Sequence, residues 1–162
     1  MRQYFRLAAV LVLVSLCWVC CAQAKEAAAN FTLLDLNRNA YTLSNYKGKK
    51  PVVLFFWTTW CHYCLGELKL INDFWMQMEK DGFEFFAINV GEPSYKVENF
   101  AENYLFTFKI LLDRDGKVFD GYGLIGVPTY ILVDKEGNVV FKNNYFPLGK
   151  YNNLLENKRI QR

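Results

Sequence analysis

Val52-Val53-Leu54-Phe55-Phe56-Trp57 runs through Thr58-Thr59 into Trp60-Cys61-His62-Tyr63-Cys64, and the reading of this stretch decides the fold. The first six residues are β-branched, aliphatic or aromatic and carry no charge, which predicts a fully buried strand. Beyond them Cys64, Leu68, Ile71, Trp75 and Met78 recur at helical spacing. That spacing predicts an amphipathic helix ending near Lys80, before the Asp81-Gly82 turn. Cys61 therefore falls at a strand-to-helix junction, where free backbone N–H groups and the positive end of the helix dipole favour an anion. Such a setting favours a reactive thiolate. Cys64 lies one turn further on, close enough to attack a mixed disulfide formed at Cys61.

Working outward, the pattern alternates strands and helices and then closes on a hairpin and a helix. Phe31–Leu36 and Tyr41–Leu43 read as short strands around the polar Asn37-Arg38-Asn39 turn. Phe83–Val90 is a second buried strand, and Pro93 and Ser94 open a helix over Tyr95–Tyr104. A third strand is expected over Thr107–Leu112 and a short helix over Val118–Tyr122. Thr129–Val133 and Val139–Phe141 form a hairpin, and Leu148–Lys158 a closing helix. The expected class is α/β: a central mixed sheet flanked by helices, with an extra N-terminal hairpin.

Composition narrows the function. The 162 residues are 52% hydrophobic and 17% aromatic, ample for one core. Arg2 and Arg6 lie in the first 24 residues, and the remainder is nearly neutral at net +1. That balance argues against a nucleic-acid binder working by phosphate neutralisation. Of five cysteines, Cys17, Cys20 and Cys21 fall in the uncharged apolar run 7–21, leaving only Cys61 and Cys64 in the globular part. A framework of several disulfides is excluded, and this pair closes too short a loop to staple a fold.

Two arginines, the apolar run and Ala22-Gln23-Ala24 read as a signal peptide over residues 1–24. The alternative is an uncleaved anchor through residues 7–21, although 15 apolar residues are short for a span. Cys17, Cys20 and Cys21 lack the flanking residues expected of a lipidated cysteine. Either leader puts the domain outside the cytoplasm, in the periplasm of a bacterial cell, where dithiols do redox work. Residues 25–30 read as a tether and 159–162 as a C-terminal tail.

Three motifs are set aside. Gly121-Tyr122-Gly123-Leu124-Ile125-Gly126 is a literal GxGxxG, but Pro128 and a strand follow where a dinucleotide site needs a helix. Asp113-Arg114-Asp115-Gly116 resembles a calcium loop only faintly, with its glycine misplaced and no closing glutamate. Asn30-Phe31-Thr32 is a glycosylation tripeptide of the kind that arises by chance. Val127-Pro128-Thr129 fits a strand-entry turn, and beside a CxxC it would bring the Val127 backbone next to the thiols.

Trp57 to Cys64, taken with Val127-Pro128-Thr129, resembles the thioredoxin superfamily. The hairpin, the Phe83–Val90 strand with its Pro93–Tyr104 helix, and the Tyr122-Gly123 to Thr129 stretch are similar to its extracytoplasmic TlpA, ResA and DsbE (CcmG) branch. The resemblance covers residues 31–158. It implies that Cys61 is the nucleophile, Cys64 resolves, and Pro128 is cis and lines a substrate groove with Val127. It also implies that Trp60 shields the site while Trp57 packs beneath it. Thioredoxin's buried aspartate, six residues before the first cysteine, is replaced by Phe55. Glu67 matches a glutamate frequent in the branch, but the branch's proline soon after it is absent, with Leu68 and Lys69 in its place.

Glu67 shares a helix face with Cys64 and lies in line with Ile71, Phe74 and Met78. A partly buried carboxylate there would take the proton from Cys64. The alternative is an exposed glutamate favoured near a helix N-terminus. His62 and Tyr63 inside the motif are assigned to redox tuning and the groove, against the alternative of His62 as a simple rim residue.

The reading is an extracytoplasmic thiol–disulfide oxidoreductase. It needs no cofactor or metal beyond the Cys61–Cys64 disulfide, acts on protein thiols and disulfides, and draws on a membrane electron donor. Reduction is preferred on Glu67, although a histidine within the motif also fits an oxidant. The branch suggests cytochrome c maturation as a setting. Two rivals are a Cu(I) carrier using Cys61, His62 and Cys64, and a peptide-binding module on the same fold. A peroxidase is weaker, since no residues mark a peroxide pocket.

Overall fold

A computed structural model describes residues 25–160. In chain order the elements are β1 (Thr32–Asp35), β2 (Ala40–Thr42), a 3₁₀ turn (Leu43–Tyr46), β3 (Val52–Trp57), α1 (His62–Lys80) and β4 (Glu84–Val90). Then come α2 (Ser94–Asn103), β5 (Ile110–Asp113), α3 (Lys117–Gly121), β6 (Thr129–Val133), β7 (Val139–Asn143) and α4 (Leu148–Ile160). The strands form one mixed sheet in the order β2-β1-β5-β4-β3-β6-β7. β3, β4 and β5 are parallel, and β6 joins β3 antiparallel with Phe56 opposite Thr129. The expected fold class therefore stands, and the N-terminal hairpin enters the sheet through β1–β5 pairing.

β3 lies inside the sheet, between β4 and β6, because it has no polar residue to expose, and all six of its residues are buried. Alternation splits it between two cores. Val53, Phe55 and Trp57 pack with Leu68, Ile71 and Met78 of α1, Val97 of α2 and Tyr151 of α4. Val52, Leu54 and Phe56 pack on the other face with Phe31, Leu43 and Tyr122. Each such large side chain fully withdrawn from water contributes about 1.5–3 kcal/mol.

Several boundaries differ from expectation. β1 is shorter, and β2 is shifted one residue toward the N-terminus, with Leu43 belonging to the 3₁₀ turn. β5 begins at Ile110 rather than Thr107, because the Thr107 N–H is held by the Asn72 side chain at 3.0 Å instead of a strand partner. Residues 25–30 are tied to the domain. Ala28 N–H donates to Gly137 at 2.9 Å, Val139 N–H to Glu26 at 2.7 Å, and Lys25 pairs with Asp134 at 3.2 Å. This strap docks on the β6–β7 turn, where Gly137 takes φ 86°, a conformation glycine adopts at little cost. The turn lies at the end of the sheet where Val52 pairs with Val133, opposite the end that leads to Cys61.

Candidate active site

Cys61 is the N-cap of α1, and Cys61 and Cys64 form a disulfide with Cα atoms 5.2 Å apart. Cys64 N–H points at Cys61 Sγ at 3.1 Å. The first turn of α1 carries no acidic residue, so nothing there offsets the dipole that favours a Cys61 thiolate. Cys61 keeps 7% of its surface exposed while Cys64 has none. An incoming partner therefore meets Cys61, and Cys64 stays behind it.

Around this edge the surface is apolar and open. Trp60 is 71% and Tyr63 81% exposed, and Ile125 stands fully free. His62 is exposed too, with its ring 6.3 Å from that of Tyr63. Trp57 is buried against Phe100 at 5.4 Å. The Val127–Pro128 bond is cis. Because Thr129 is paired with Phe56, the register brings Val127 and Pro128 to the Cys61 end of β3. The sequence-predicted residues Cys61, Cys64, Trp60, His62, Tyr63, Val127 and Pro128 thus gather at one pole.

Glu67 is half-buried and accepts a hydrogen bond from the Tyr130 hydroxyl at 2.6 Å. Tyr130 lies wholly inside, its ring 4.5 Å from that of Phe55. The carboxylate under this pole comes from the helix, while an aromatic stands at the strand position where thioredoxin has its aspartate. Tyr130 was not among the expected site residues. The available signal was a tyrosine in an otherwise aliphatic buried strand, since a buried hydroxyl needs a partner.

Glu92 was also missed. It is 6% exposed and holds the approach to Cys61. Its carboxylate accepts from the Thr59 N–H at 2.7 Å and the Thr59 hydroxyl at 2.6 Å. It also accepts from Asn89 at 2.8 Å and Lys96 at 2.7 Å. Burial opposes its ionisation, but the bonds from Lys96, Thr59 and Asn89 outweigh that and hold its pKa below the ordinary value. Nearby, Trp57 Nε1, Thr58 Oγ1 and Asn89 Oδ1 are buried without a hydrogen-bond partner among the described residues.

The GxGxxG stretch runs from the end of α3 into the loop before the cis proline, so it opens no helix. Among the described residues, no cluster of three or more His, Cys, Asp or Glu side chains is arranged to hold a metal ion. A surface cavity of about 720 Å³ lies by β1, β2 and α2, lined by Asp35, Tyr41, Glu98 and Phe106, and includes none of the redox residues. The site is an exposed rim, which suits a macromolecular thiol better than an enclosed small molecule.

Residues 24–142 match the AhpC/TSA family. Over 114 residues the chain is 43% identical to the thiol-disulfide oxidoreductase ResA of Geobacillus thermodenitrificans, covering 70% of this chain and 65% of that one. The match thus spans just under two thirds of that relative's length. The structure is similar to the thioredoxin domain of a thiol-disulfide oxidoreductase from Bacteroides vulgatus, with TM-score 0.69 and 25% identity over 83% of this chain and 98% of that one. It is also similar to StoA from Bacillus subtilis, with TM-score 0.65 and 25% identity over 80% and 96%. Sequence match and sheet order agree: the chain belongs to the AhpC/TSA family, built on a thioredoxin-like fold.

Proposed function

We propose that the chain is an extracytoplasmic thiol–disulfide oxidoreductase that reduces disulfides in partner proteins. The observation that carries this is the Cys61–Cys64 disulfide, with Cys61 at the partly open N-terminus of α1 and Cys64 sealed behind it. The name of its relative, thiol-disulfide oxidoreductase, supports the same reading.

The reduced enzyme attacks a partner disulfide with Cys61 thiolate and forms a mixed disulfide. Cys64 gives its proton to Glu67 and attacks Cys61, which releases the reduced partner and regenerates the Cys61–Cys64 disulfide. Trp60, Tyr63, Val127 and Pro128 form the groove that receives the partner segment, and His62 tunes the potential of the pair. Electrons return through a membrane thiol donor, and thiols of the cytochrome c maturation route are candidate substrates. The leader reading of residues 1–24 supports an extracytoplasmic site and lies outside the described residues. Among those described, no helix is long and apolar enough to cross a membrane.

The test is a glutathione or dithiothreitol redox titration of the purified chain, followed by tryptophan fluorescence. A potential at or below about −250 mV supports a dedicated reductant. A value near about −120 mV reverses the direction and makes the chain a disulfide donor. Absence of a reversible couple ends the enzyme reading and leaves Cu(I) carriage by Cys61, His62 and Cys64 as the next test.

A further inference from the structure

Tyr130 stands two residues beyond the cis proline, with none of its surface exposed. Its backbone pairs with Phe55 on one side and Asn143 on the other. Its ring rests on Phe55 at 4.5 Å and Phe146 at 5.7 Å. A ring held this way aims its hydroxyl in one direction, and that direction is Glu67 Oε2 at 2.6 Å. A bond so short to a carboxylate is of the charge-assisted kind. Burial, then the adjacent Glu67, raises the pKa of the tyrosine, so it remains a donor across the working range.

Cys64 has no solvent-exposed surface, so the proton it sheds on attack needs an acceptor inside the protein. Glu67 follows Cys64 by three residues on α1 and shares its face. A carboxylate on a helix is held to one orientation only when a fixed donor grips it. Tyr130 supplies that donor.

We infer that Tyr130 is a positioning residue for the resolving step: its hydroxyl holds the Glu67 carboxylate in one orientation on the helix face it shares with Cys64. This rests on the exchange reading given above. In the step, the Cys64 S–H proton passes to Glu67 and the Cys64 thiolate attacks Cys61 Sγ. The bond from Cys61 to the partner sulfur breaks as the Cys61–Cys64 bond forms. The partner leaves as a thiolate that takes a proton from water, and the enzyme dithiol has given up two electrons.

Other titratable groups near Glu67 are accounted for. Cys64 lies one turn before it, and His62 and Tyr63 stand on the exposed first turn. Lys69 is turned to the Tyr104 ring at 5.2 Å. From α4, Tyr151 directs its hydroxyl to Asp81 beyond the far end of α1. Phe55 and Phe146 pack on the Tyr130 ring, and Phe74 packs on Phe146.

The experiment compares the full chain with Y130F, E67Q and the double variant, reading insulin reduction against pH with dithiothreitol as electron source. Y130F should move the acid limb of the profile up by about one pH unit and leave the rate on the alkaline side unchanged. E67Q keeps an oxygen for the Tyr130 hydroxyl but takes no proton. It should lose the limb and about a hundredfold in the resolving rate. Adding Y130F to E67Q should then change nothing further. An active wild type whose acid limb is unmoved in Y130F, or moved equally in the E67Q background, overturns the role of Tyr130 alone. A wild type without turnover overturns the exchange reading and this inference with it. Should Y130F not fold, an acid limb retained by E67Q overturns the inference equally.

Discussion

β4 carries a buried carboxylate at each end, and the two are held in opposite ways. Glu84 opens the strand at 2% exposure, gripped by Lys50 and by Lys109, each at 2.5 Å. Glu92 follows the other end and is gripped by one lysine and by neutral donors of Thr59 and Asn89. At the Glu84 end two cations brace the strand against its neighbours. At the Glu92 end the carboxylate fixes the turn that delivers Cys61. Three buried polar atoms there lack partners, and Trp60 and Tyr63 stand in water. The end that anchors the fold is well satisfied, whereas the redox end departs from the rules for a stable interior, as functional sites do.

The largest test of this contrast is Cys61→Ser. It should abolish insulin reduction, a loss of at least about a thousandfold, with the melting curve of the reduced protein unchanged. Retained turnover would end the division of roles. Next, Glu84→Ala should lower stability by about 2–3 kcal/mol, measured by urea unfolding, while the Cys61/Cys64 potential stays put. The effect falls below the range for a fully buried pair because Lys50 and Lys109 keep 37% and 32% of their side chains exposed. A potential that moves with this variant would show that the two ends are coupled.

Glu92→Gln should cost less stability, about 1–2 kcal/mol, but should move the potential. Each 1.4 kcal/mol by which the oxidised and reduced forms respond differently is about 30 mV. The sign with pH follows from a lowered native pKa. The contribution of Glu92 is fully present above its ordinary value of 4.5 and is lost as pH falls through the native value below it. Wild type and Glu92→Gln should therefore differ in melting temperature at neutral pH and converge in acid. Smallest of all in stability, Trp60→Ala should stay within about 0.5 kcal/mol of wild type. Its effect should appear instead as a raised KM for a protein substrate.

Much of this was legible before any coordinates. Val52–Trp57 read as a buried strand because six uncharged residues leave no solvent face, and all six are buried. The cysteine pair was legible because residue type and position agree. The start of β5 was not. Leu105 turns the chain at φ 54° after α2, a conformation that usually announces itself with glycine. Phe106 and Phe108 then stack on each other at 5.1 Å before the strand begins. The roles of Glu92 and Tyr130 were not legible for a different reason. Glu92 reaches Thr59 from 33 residues away and Tyr130 reaches Glu67 from 63, and although a buried tyrosine signals that its hydroxyl needs a partner, no local pattern names which.

The strap formed by residues 25–30 has a mechanical consequence. It leaves the domain beside Asp134, while the disulfide sits past the other end of β3, a strand about 20 Å long. A tag, a linker or a solid support joined at Lys25 is thus mounted on the blunt end, with the reactive edge pointing outward. A pull applied there loads the Lys25–Asp134 pair and the Val139–Glu26 bond first, then the Ala28–Gly137 bond, and reaches the disulfide only after the strap has peeled.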